Sequence, residues 1–397
     1  MPTYEKLNGL ISVFSNSPGM PTGYGEQSRL LVDRLIRHGL DTAILSNYGN
    51  EGVIRDYKTG HGKAKHYPKS FAPHSVDTIN LWHGQHRLGK EDLPHALLTL
   101  YDVWVLAQLQ FDGPILAWVP IDHVNIPGAV RAVLEKDNVH PIAMAPHGKR
   151  LLDARGIEAD YVPHAINTSV FKPSSASASK KIRTQLSVDD ETFLVSMVVA
   201  NKANGMFHRK AIAENVLAFA SFHKEYPNSK LYMHTESRPI LGGVDLGKLF
   251  ESLGLTTDDV LTANGDELMI GLPQKTMADI YSASDILLAA TYGEGFGVPV
   301  IEAQACGTKV ITSNATASQD LAGESSYLVD GQLWWNMAQS AYFQIPSITH
   351  IYSALVDAYN KWDGNKADSV SVEFAKQFDV ELVWRDYWMP TLRKHFA

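Results

Sequence analysis

A glycine-rich turn with two glutamates is the part of this sequence with the clearest chemical meaning. Residues 291–302 read TYGEGFGVPVIE, between an apolar strand-like stretch and a helix-like one. The glycines allow a tight turn, so the amides from Gly295 to Val298, those of Phe296 and Gly297 included, can point at one ligand. With the positive end of the helix dipole, they form a site suited to a diphosphate.

The two glutamates flank this predicted anion site. Glu294 lies in the turn, and Glu302 lies on the first turns of the following helix. A carboxylate accepts two charge-assisted hydrogen bonds, which suits the vicinal hydroxyls of a sugar. One carboxylate can therefore reach a sugar beyond the phosphate, while the other reaches back toward a ribose. The spacing alone is explained equally well by a plain strand-to-helix turn with two solvated glutamates.

The longer stretch 284–311 resembles the donor-binding signature of retaining GT-B glycosyltransferases, specifically glycosyltransferase family four. The match includes the strand, the turn, both glutamates and the ACGTKVI entry into the next strand. The resemblance implies that Glu294 binds donor-sugar hydroxyls and that Glu302 binds the ribose. It also implies that the amides of Phe296 and Gly297 hold the sugar and diphosphate. The resemblance covers nearly the whole chain, strongly in the second half and loosely in the first.

A basic pair, Arg209 and Lys210, opens the first predicted helix of the second half. Arginine supplies a bidentate fork and lysine a point charge, and both suit a diphosphate. Cations at a helix start oppose the helix dipole, which argues against a merely solvated pair. The pair resembles the family's basic residues at this turn. The insert at 206–208, which begins with Met206, departs from the commonest pattern and leaves the register of Asn201 and Lys202 open.

In the first half, the loop PTGYG at 21–25 contains Gly23 and Gly25. It has no third glycine at the spacing of a dinucleotide-binding fingerprint, so we predict no such site. The loop resembles the family's N-terminal glycine loop, which implies that it approaches the donor phosphate and the acceptor. A plain tight turn is the alternative.

Asp122 and His123 follow a predicted strand, where doubly wound sheets place ligands. The resemblance implies that one of them contacts the donor sugar or the acceptor, and either could fill this role. His83 and His86 follow another predicted strand. No carboxylate or cysteine cluster joins them, so we predict no metal site. Histidines that are buried and hydrogen-bonded to the backbone are the alternative for each.

Apolar runs alternate with helical patterns in two blocks, which predicts an α/β protein with two doubly wound parallel sheets. Strands are predicted at 10–14, 42–46, 78–82, 103–107, 115–121, 142–145 and 160–162, then at 193–199, 230–234, 285–290 and 309–312; helices are predicted at 25–38, 210–223, 276–283 and from 298. The stretch 163–181 reads as an exposed linker.

The resemblance implies the GT-B architecture, with two facing Rossmann-like domains and a cleft between them. An acceptor-side domain would span 1–165 and a nucleotide-sugar donor domain 166–375. A helix at 376–397, kinked at Pro390, would cross back to the first domain. Ala165 and Asn167 replace the family's usual glycine and aspartate in the hinge, which leaves a ligand role for His164 open.

Composition sets outer limits on function. The 397 residues are 45% hydrophobic with a net charge of −8, so no overall field draws the chain to nucleic acid or anionic lipid. The single cysteine, Cys306, excludes an intramolecular disulfide and is expected to be a small buried hydrophobe. We see no signal peptide and no apolar run of about 18 residues, and expect a cytoplasmic protein without an integral membrane segment.

Together these features predict a retaining transferase that moves a hexose from a UDP- or GDP-sugar to a hydroxyl group, without a cofactor. No Asp-x-Asp triplet occurs, which predicts that the diphosphate is held without a metal. A GT-B-type epimerase or phosphorylase and a catalytically silent sugar-nucleotide binding or scaffold protein are the alternatives. The acceptor is open among glycan, lipid, protein and modified nucleic acid, and so are peripheral membrane contact and the oligomeric state. A basic cluster at Lys63, Lys65, His66 and Lys69 reads as solvated.

Overall fold

The computed structural model describes residues 5–203, 205, 207–364 and 367–396. Met206 of the predicted insert lies outside the described residues. The first sheet has eight strands in the order β3-β4-β2-β1-β5-β6-β7-β8. They are β1 Leu10–Asn16, β2 Asp41–Tyr48, β3 Arg55–Thr59, β4 Gly62–Tyr67, β5 His95–Leu100, β6 Ile115–Val119, β7 Val139–Ala143 and β8 Asp160–Tyr161. All neighbours are parallel except the antiparallel pair β3 and β4.

The second sheet has six strands, all parallel, in the order β11-β10-β9-β12-β13-β14. They are β9 Phe193–Val198, β10 Ser229–His234, β11 Val260–Thr262, β12 Ile286–Ala289, β13 Lys309–Ser313 and β14 Tyr327–Val329. The strand order reverses between β9 and β12, and such a switch point is where doubly wound sheets bind ligands. The chain segments that leave β9 and β12 therefore meet at one edge of this sheet.

The helices connect these strands and cover the sheets. They are α1 Gly23–Arg37, α2 Ile79–Arg87, α3 Gly128–Leu134, α4 Pro146–Asp153, α5 Ala176–Gln185, α6 Ile212–Glu225, α7 Leu246–Leu253, α8 Gly265–Ile270, α9 Gln274–Ala283, α10 Val298–Ala305, α11 Thr316–Asp320, α12 Ile348–Asn360, α13 Ser369–Ala375, α14 Val380–Val383 and α15 Met389–Phe396. Cys306, just after α10, is buried as predicted. No described helix has the length and apolar character that crossing a membrane requires.

A separate hairpin follows the second sheet. Its strands, β15 Gly331–Asn336 and β16 Ala341–Pro346, pair antiparallel with Trp334 opposite Phe343. The sequence patterns above did not predict it.

Three predicted elements were wrong. The supposed strand at 78–82 belongs mainly to α2, whose buried face repeats at helical spacing through Ile79, His83 and His86. The supposed strand at 103–107 is a short 3₁₀ helix, and the strand of this region is β5 instead. Apolar runs this short do not distinguish strand from helix by periodicity. Part of the predicted linker is α5, because Ser175 caps its start by accepting a hydrogen bond from the Ala178 amide.

The C-terminal segment packs against the first domain. Trp384 Nε1 donates a hydrogen bond to His38 Nε2 over 2.9 Å, and the Trp388 ring meets Trp118 edge-on with centroids 4.8 Å apart. The irregular part of this segment is a π-helical turn at Trp384–Trp388, and Pro390 falls in the first turn of α15. Residues 380–396 form one continuous helical run, and Met389 between the two parts has helical φ and ψ. Because a proline inside a helix lacks the amide donor and crowds the preceding turn, the π-helical turn directly before Pro390 fits the kink predicted there.

Candidate donor site

The glycine-rich turn links the end of β12 to the start of α10, as predicted. Gly297 has φ 111° and ψ 58°, a left-handed conformation that favours glycine, and Pro299 lies in the first helical turn. Gly293 and Gly295 have another reason to be glycines. A Cβ on Gly293 would lie 2.0 Å from the Asp122 carbonyl oxygen, and one on Gly295 would lie 2.5 Å from Pro120 Cβ. Residues of the first domain thus pack directly against the glycine turn.

The backbone of the glycine turn has four successive amides without a partner among the described residues, two of them on the buried residues Gly295 and Phe296. Within the part of the chain that the structure describes, the amides from Gly295 to Val298 donate no hydrogen bond to protein. The Phe296 side chain is 3% exposed and packs edge-on against His164 and Phe378, with centroids 5.1 and 5.7 Å away. Phe296 therefore anchors the turn through its ring and can offer a ligand only its backbone. Free amides at the start of α10 suit an anion.

All five residues predicted to act in catalysis lie in one continuous chain of polar contacts. Lys210 Nζ lies 2.6 Å from Glu294 Oε1, and Arg209 Nη1 lies 3.2 Å from Glu294 Oε2. Arg209 also donates to the Gly293 carbonyl oxygen. On its other side, Arg209 Nε lies 3.5 Å from Asp122 Oδ2, while Asp122 Oδ1 lies 2.7 Å from His123 Nδ1. This series of polar contacts crosses from the second domain to the first, so the two domains form one site.

The charged groups in this series of contacts set one another's ionisation state. Burial acts to raise the pKa of Glu294, but the charges of Lys210 and Arg209 outweigh it and hold that pKa below its ordinary value. Burial likewise opposes ionisation of Asp122, yet Arg209 and His123 lower its pKa to about 2. Burial lowers the pKa of Lys210 despite the adjacent Glu294 carboxylate. Both carboxylates are consequently ionised at neutral pH.

Glu302 has different surroundings. It is half-buried on α10, and its Oε2 accepts a hydrogen bond from the Tyr281 hydroxyl over 2.9 Å. Burial raises the pKa of Glu302 to about 7, and the charge of Glu26 adds to this effect. Glu26 lies on α1 of the first domain and accepts a hydrogen bond from Gln274 Nε2 over 2.6 Å. Among the residues that the structure describes, no cation contributes to the pKa shift of Glu302, whereas two contribute to that of Glu294.

The predicted glycine loop lies at the start of α1. Thr22 caps the helix by accepting a hydrogen bond from the Gly25 amide over 3.0 Å. A Cβ on Gly25 would lie 2.5 Å from the Met20 carbonyl oxygen, whereas one on Gly23 would meet nothing within 4 Å. Pro21 lies against the second domain, since a Cβ on Gly271 would be 2.8 Å from Pro21 Cβ. The local turn requires only Gly25, and the loop borders the cleft.

His83 and His86 do not lie at the end of a strand, because the predicted strand before them is helix α2. His83 Nδ1 lies 2.8 Å from Ser12 Oγ, and its Nε2 lies 3.1 Å from His95 Nδ1. Burial lowers the pKa of His83 to about 3. Among the described residues no group of three or more histidine, cysteine, aspartate or glutamate side chains is arranged to hold a metal ion. His83 is buried, as the alternative expected, but its hydrogen-bond partners are the side chains of Ser12 and His95 rather than the backbone.

The basic cluster of the first domain is paired with acids. Lys63 and Lys65 each lie 2.8 Å from Asp56 across the β3–β4 hairpin, and both side chains are largely exposed. His66 is buried, with its Nε2 2.7 Å from Ser46 Oγ. The cluster is therefore a paired, solvated surface rather than a patch of free positive charge.

Two residues of the site escaped the sequence patterns. Thr316, at φ 53°, accepts a hydrogen bond from the Glu294 amide through Oγ1 over 3.0 Å. Gln339, in the turn of the β15–β16 hairpin, has its Oε1 2.5 Å from His123 Nε2. Neither belongs to a recognisable motif, and each reaches the site only through long-range folding. His164 is buried beside Trp118 and Phe296, and burial lowers its pKa to about 3.

Comparison with known proteins agrees with this geometry. Residues 259–341 match the family described as "Glycosyl transferases group 1". D-inositol 3-phosphate glycosyltransferase of Corynebacterium jeikeium is 28% identical over 185 residues, which are 45% of this chain and 41% of that protein. The homologue from Rhodococcus opacus is 47% identical over 57 residues, 14% of this chain and 13% of that protein. The aligned part thus spans less than half of the length of these relatives.

Solved structures share the fold over nearly the whole chain. Sucrose-phosphate synthase from Thermosynechococcus elongatus superposes with a TM-score of 0.69 at 18% identity, covering 97% of this chain and 98% of that one. Anabaena HepE in complex with UDP-glucose superposes with a TM-score of 0.66 at 14% identity, covering 97% and 100%. The predicted fold and family resemblance are thereby confirmed: the chain has the GT-B architecture and is related to the group 1 glycosyltransferases.

Proposed function

We propose that this protein is a retaining glycosyltransferase that moves a hexose from a UDP- or GDP-sugar to a hydroxyl acceptor. The observation that supports this most is the chain of contacts from Lys210 through Glu294, Arg209 and Asp122 to His123, next to the free amides of the glycine turn. Cations, a sugar-binding carboxylate and an anion site are together what transfer from a sugar diphosphate requires.

The donor would lie along the edge of the second sheet. Its diphosphate would contact the amides at 295–298 together with Arg209 and Lys210, and its sugar would lie beside Glu294. The ribose would lie toward Glu302. Since both cations contact Glu294 in this structure, the diphosphate would share them with that carboxylate. Glu294 therefore links the charge on the leaving group to the position of the sugar.

The surroundings of the carboxylates favour direct attack over a covalent intermediate. Glu294 is bound by two cations, and Asp122 lies between Arg209 and His123, so neither resembles a free nucleophile. In the proposed step the acceptor oxygen bonds to the anomeric carbon on the face from which the diphosphate departs. The bond from that carbon to the diphosphate breaks, and the acceptor proton passes to a phosphate oxygen of the leaving group. The configuration at carbon is retained.

We further propose that transfer needs no metal. Two cations and a helix N-terminus at one place supply charge that would otherwise come from an ion. The sequence also has no Asp-x-Asp triplet, the motif with which metal-dependent glycosyltransferases hold the diphosphate. HepE, which shares the fold, is described in complex with UDP-glucose, and a UDP-sugar is therefore the first donor to test here.

Thermal denaturation with UDP, GDP, UDP-glucose and a GDP-hexose tests the donor site. A ligand that binds only the folded state raises the midpoint by mass action, so the cognate nucleotide should raise it and uridine or guanosine alone should not. Release of nucleoside diphosphate from the stabilising donor then separates an enzyme from a silent binding protein. No stabilisation by any nucleotide would overturn the proposal.

A further inference from the structure

The β15–β16 hairpin joins the two domains at the centre of the site. It belongs to the second domain, where the Gln344 amide donates to the Tyr292 carbonyl oxygen over 3.0 Å. It also binds the first domain beyond β6. The Val124 amide donates to the Tyr342 carbonyl oxygen, and the Tyr342 amide donates to Asn125 Oδ1, each over 2.8 Å. The hairpin therefore holds the segment that directly follows Asp122 and His123.

The turn of this hairpin fixes the His123 imidazole. Gln339 Oε1 lies 2.5 Å from His123 Nε2, and Asn336 Nδ2 donates to the same oxygen over 3.1 Å. The Phe343 ring lies against one side of the imidazole, with centroids 4.0 Å apart. On the opposite nitrogen, Nδ1 pairs with Asp122 Oδ1. His123 is 3% exposed, so its ring is held at both nitrogens and on one face.

We propose that Gln339 is a positioning residue for glycosyl transfer, acting through His123. This inference rests on the proposed function, since His123 is where the polar chain ends on the acceptor side. Gln339 fixes the ring, the ring fixes one oxygen of Asp122, and the other oxygen of Asp122 faces Arg209. The hairpin thereby couples the placement of the first-domain residues to the domain that binds the donor.

The physical basis is orientation rather than binding energy. Without Gln339 the imidazole keeps the Asp122 contact and the Phe343 ring but loses the contact at Nε2, so its orientation is less restricted. A small displacement of a reacting or contacting group slows a reaction strongly while leaving remote contacts unchanged. The proposed ribose position at Glu302 lies on the same domain as the hairpin, but among the described residues the hydrogen bonds of the hairpin turn do not reach it. We therefore expect an effect on turnover and not on nucleotide affinity.

Gln339→Ala tests the proposal, with Gln332→Ala as its matched control. Gln332 is on the same hairpin and is exposed. With the donor that the wild type turns over, we expect Gln339→Ala to lower kcat about tenfold, with the KM for donor and the affinity for the nucleoside diphosphate within about twofold. Gln339→Glu retains an acceptor oxygen and should restore most of kcat. Gln332→Ala should match the wild type.

A double-mutant cycle shows whether Gln339 acts through His123. In a His123→Ala background, Gln339→Ala should have no further effect, because the residue it positions is gone. Additive losses, or an unchanged kcat in the single variant, would overturn the proposal. A thermal midpoint close to that of the wild type shows that the hairpin remains folded in the variant.

A measurement without turnover separates this proposal from the proposed function. Nitrogen-15 spectra of histidine-labelled protein, with His123→Ala to assign its signals, should show a change at His123 Nε2 in Gln339→Ala and none in Gln332→Ala. Unchanged His123 signals would refute the positioning contact even in an active enzyme. If the wild type releases no product from any donor but the signal changes as expected, the contact stands and the proposed transferase function fails.

Discussion

The two glutamates of the glycine turn lie in opposite electrostatic surroundings. Glu294 contacts two cations, and they hold its pKa below the ordinary value although burial opposes this. Glu302 has a neutral phenol as its hydrogen-bond partner, and burial raises its pKa to about 7. Similar carboxylates on one short segment therefore have different tasks open to them. The first is a permanent charge beside the leaving group, and the second is an acceptor whose charge depends on pH.

The largest expected effect is at the cationic end. Lys210→Ala removes one of the two cations on Glu294, and we expect kcat to fall about a hundredfold, as when one donor of a preorganised oxyanion site is lost. Binding of the nucleoside diphosphate should weaken as well, because the diphosphate is present before and after transfer. Initial rates and calorimetry measure both. Lys224→Ala, at the far end of α6, the helix that follows Lys210, is exposed and serves as the control that should change neither.

Glu294→Gln isolates the sugar end. The variant keeps size and hydrogen-bonding groups but removes the charge that favours a developing positive charge on the sugar ring. We expect kcat to fall at least about tenfold, which corresponds to about 1.4 kcal/mol of lost transition-state stabilisation. Affinity for the bare nucleoside diphosphate should not fall, because Arg209 and Lys210 remain available to it. Weak nucleotide binding with normal kcat would show that the two ends are assigned in reverse.

Glu302→Ala isolates the ribose end. Ribose hydroxyls lose a charged acceptor, and the loss should weaken nucleoside diphosphate binding by about 1.5–3 kcal/mol. Titration calorimetry measures this directly. The companion variant Tyr281→Phe keeps the carboxylate and removes only the phenol, so it should bind nucleotide far better than Glu302→Ala. Equal affinity in Glu302→Ala and the wild type would remove the ribose role.

The smallest expected effect is a pH dependence that belongs to Glu302 alone. Because the pKa of Glu302 is about 7, raising the pH from 6 to 8 converts its carboxyl group, in the protein without nucleotide, from mostly protonated to mostly ionised. Ribose hydroxyls donate better to the ionised form, so affinity should rise over this range. The diphosphate itself titrates nearby, and the test is therefore the difference between the wild type and Glu302→Gln. A parallel pH dependence in both proteins would show that ionisation of Glu302 does not control nucleotide affinity.

Features that depend on a local sequence pattern could be predicted from the sequence. The strand, turn and helix around Glu294 could be predicted because an apolar run, spaced glycines and Pro299 act within a dozen residues. The close packing of Asp122 and Pro120 against Gly293 and Gly295 could not be predicted, since these contacts join residues far apart in the sequence. The hairpin at 331–346 was missed because exposed tryptophans alternate poorly with polar residues there. Gln339 was missed with it.

Strand predictions in the first half failed for a related reason. The stretch 78–82 alternates like a strand over a few residues, but its buried positions continue at helical spacing into His83 and His86. The β5 strand, HALLTL, begins immediately after a proline and is buried over most of its length. Tertiary burial decided between these alternatives, and the short local pattern did not contain that information.

Release of nucleoside diphosphate from UDP- and GDP-hexoses in excess EDTA shows whether side chains and backbone amides, without a metal, hold a sugar nucleotide for transfer. We expect one of these donors to release nucleoside diphosphate at a rate that EDTA does not reduce, and we expect Lys210→Ala to slow this release strongly. Metal-independent transfer is refuted if no donor releases nucleoside diphosphate, or if EDTA abolishes the release and Mn²⁺ or Mg²⁺ restores it.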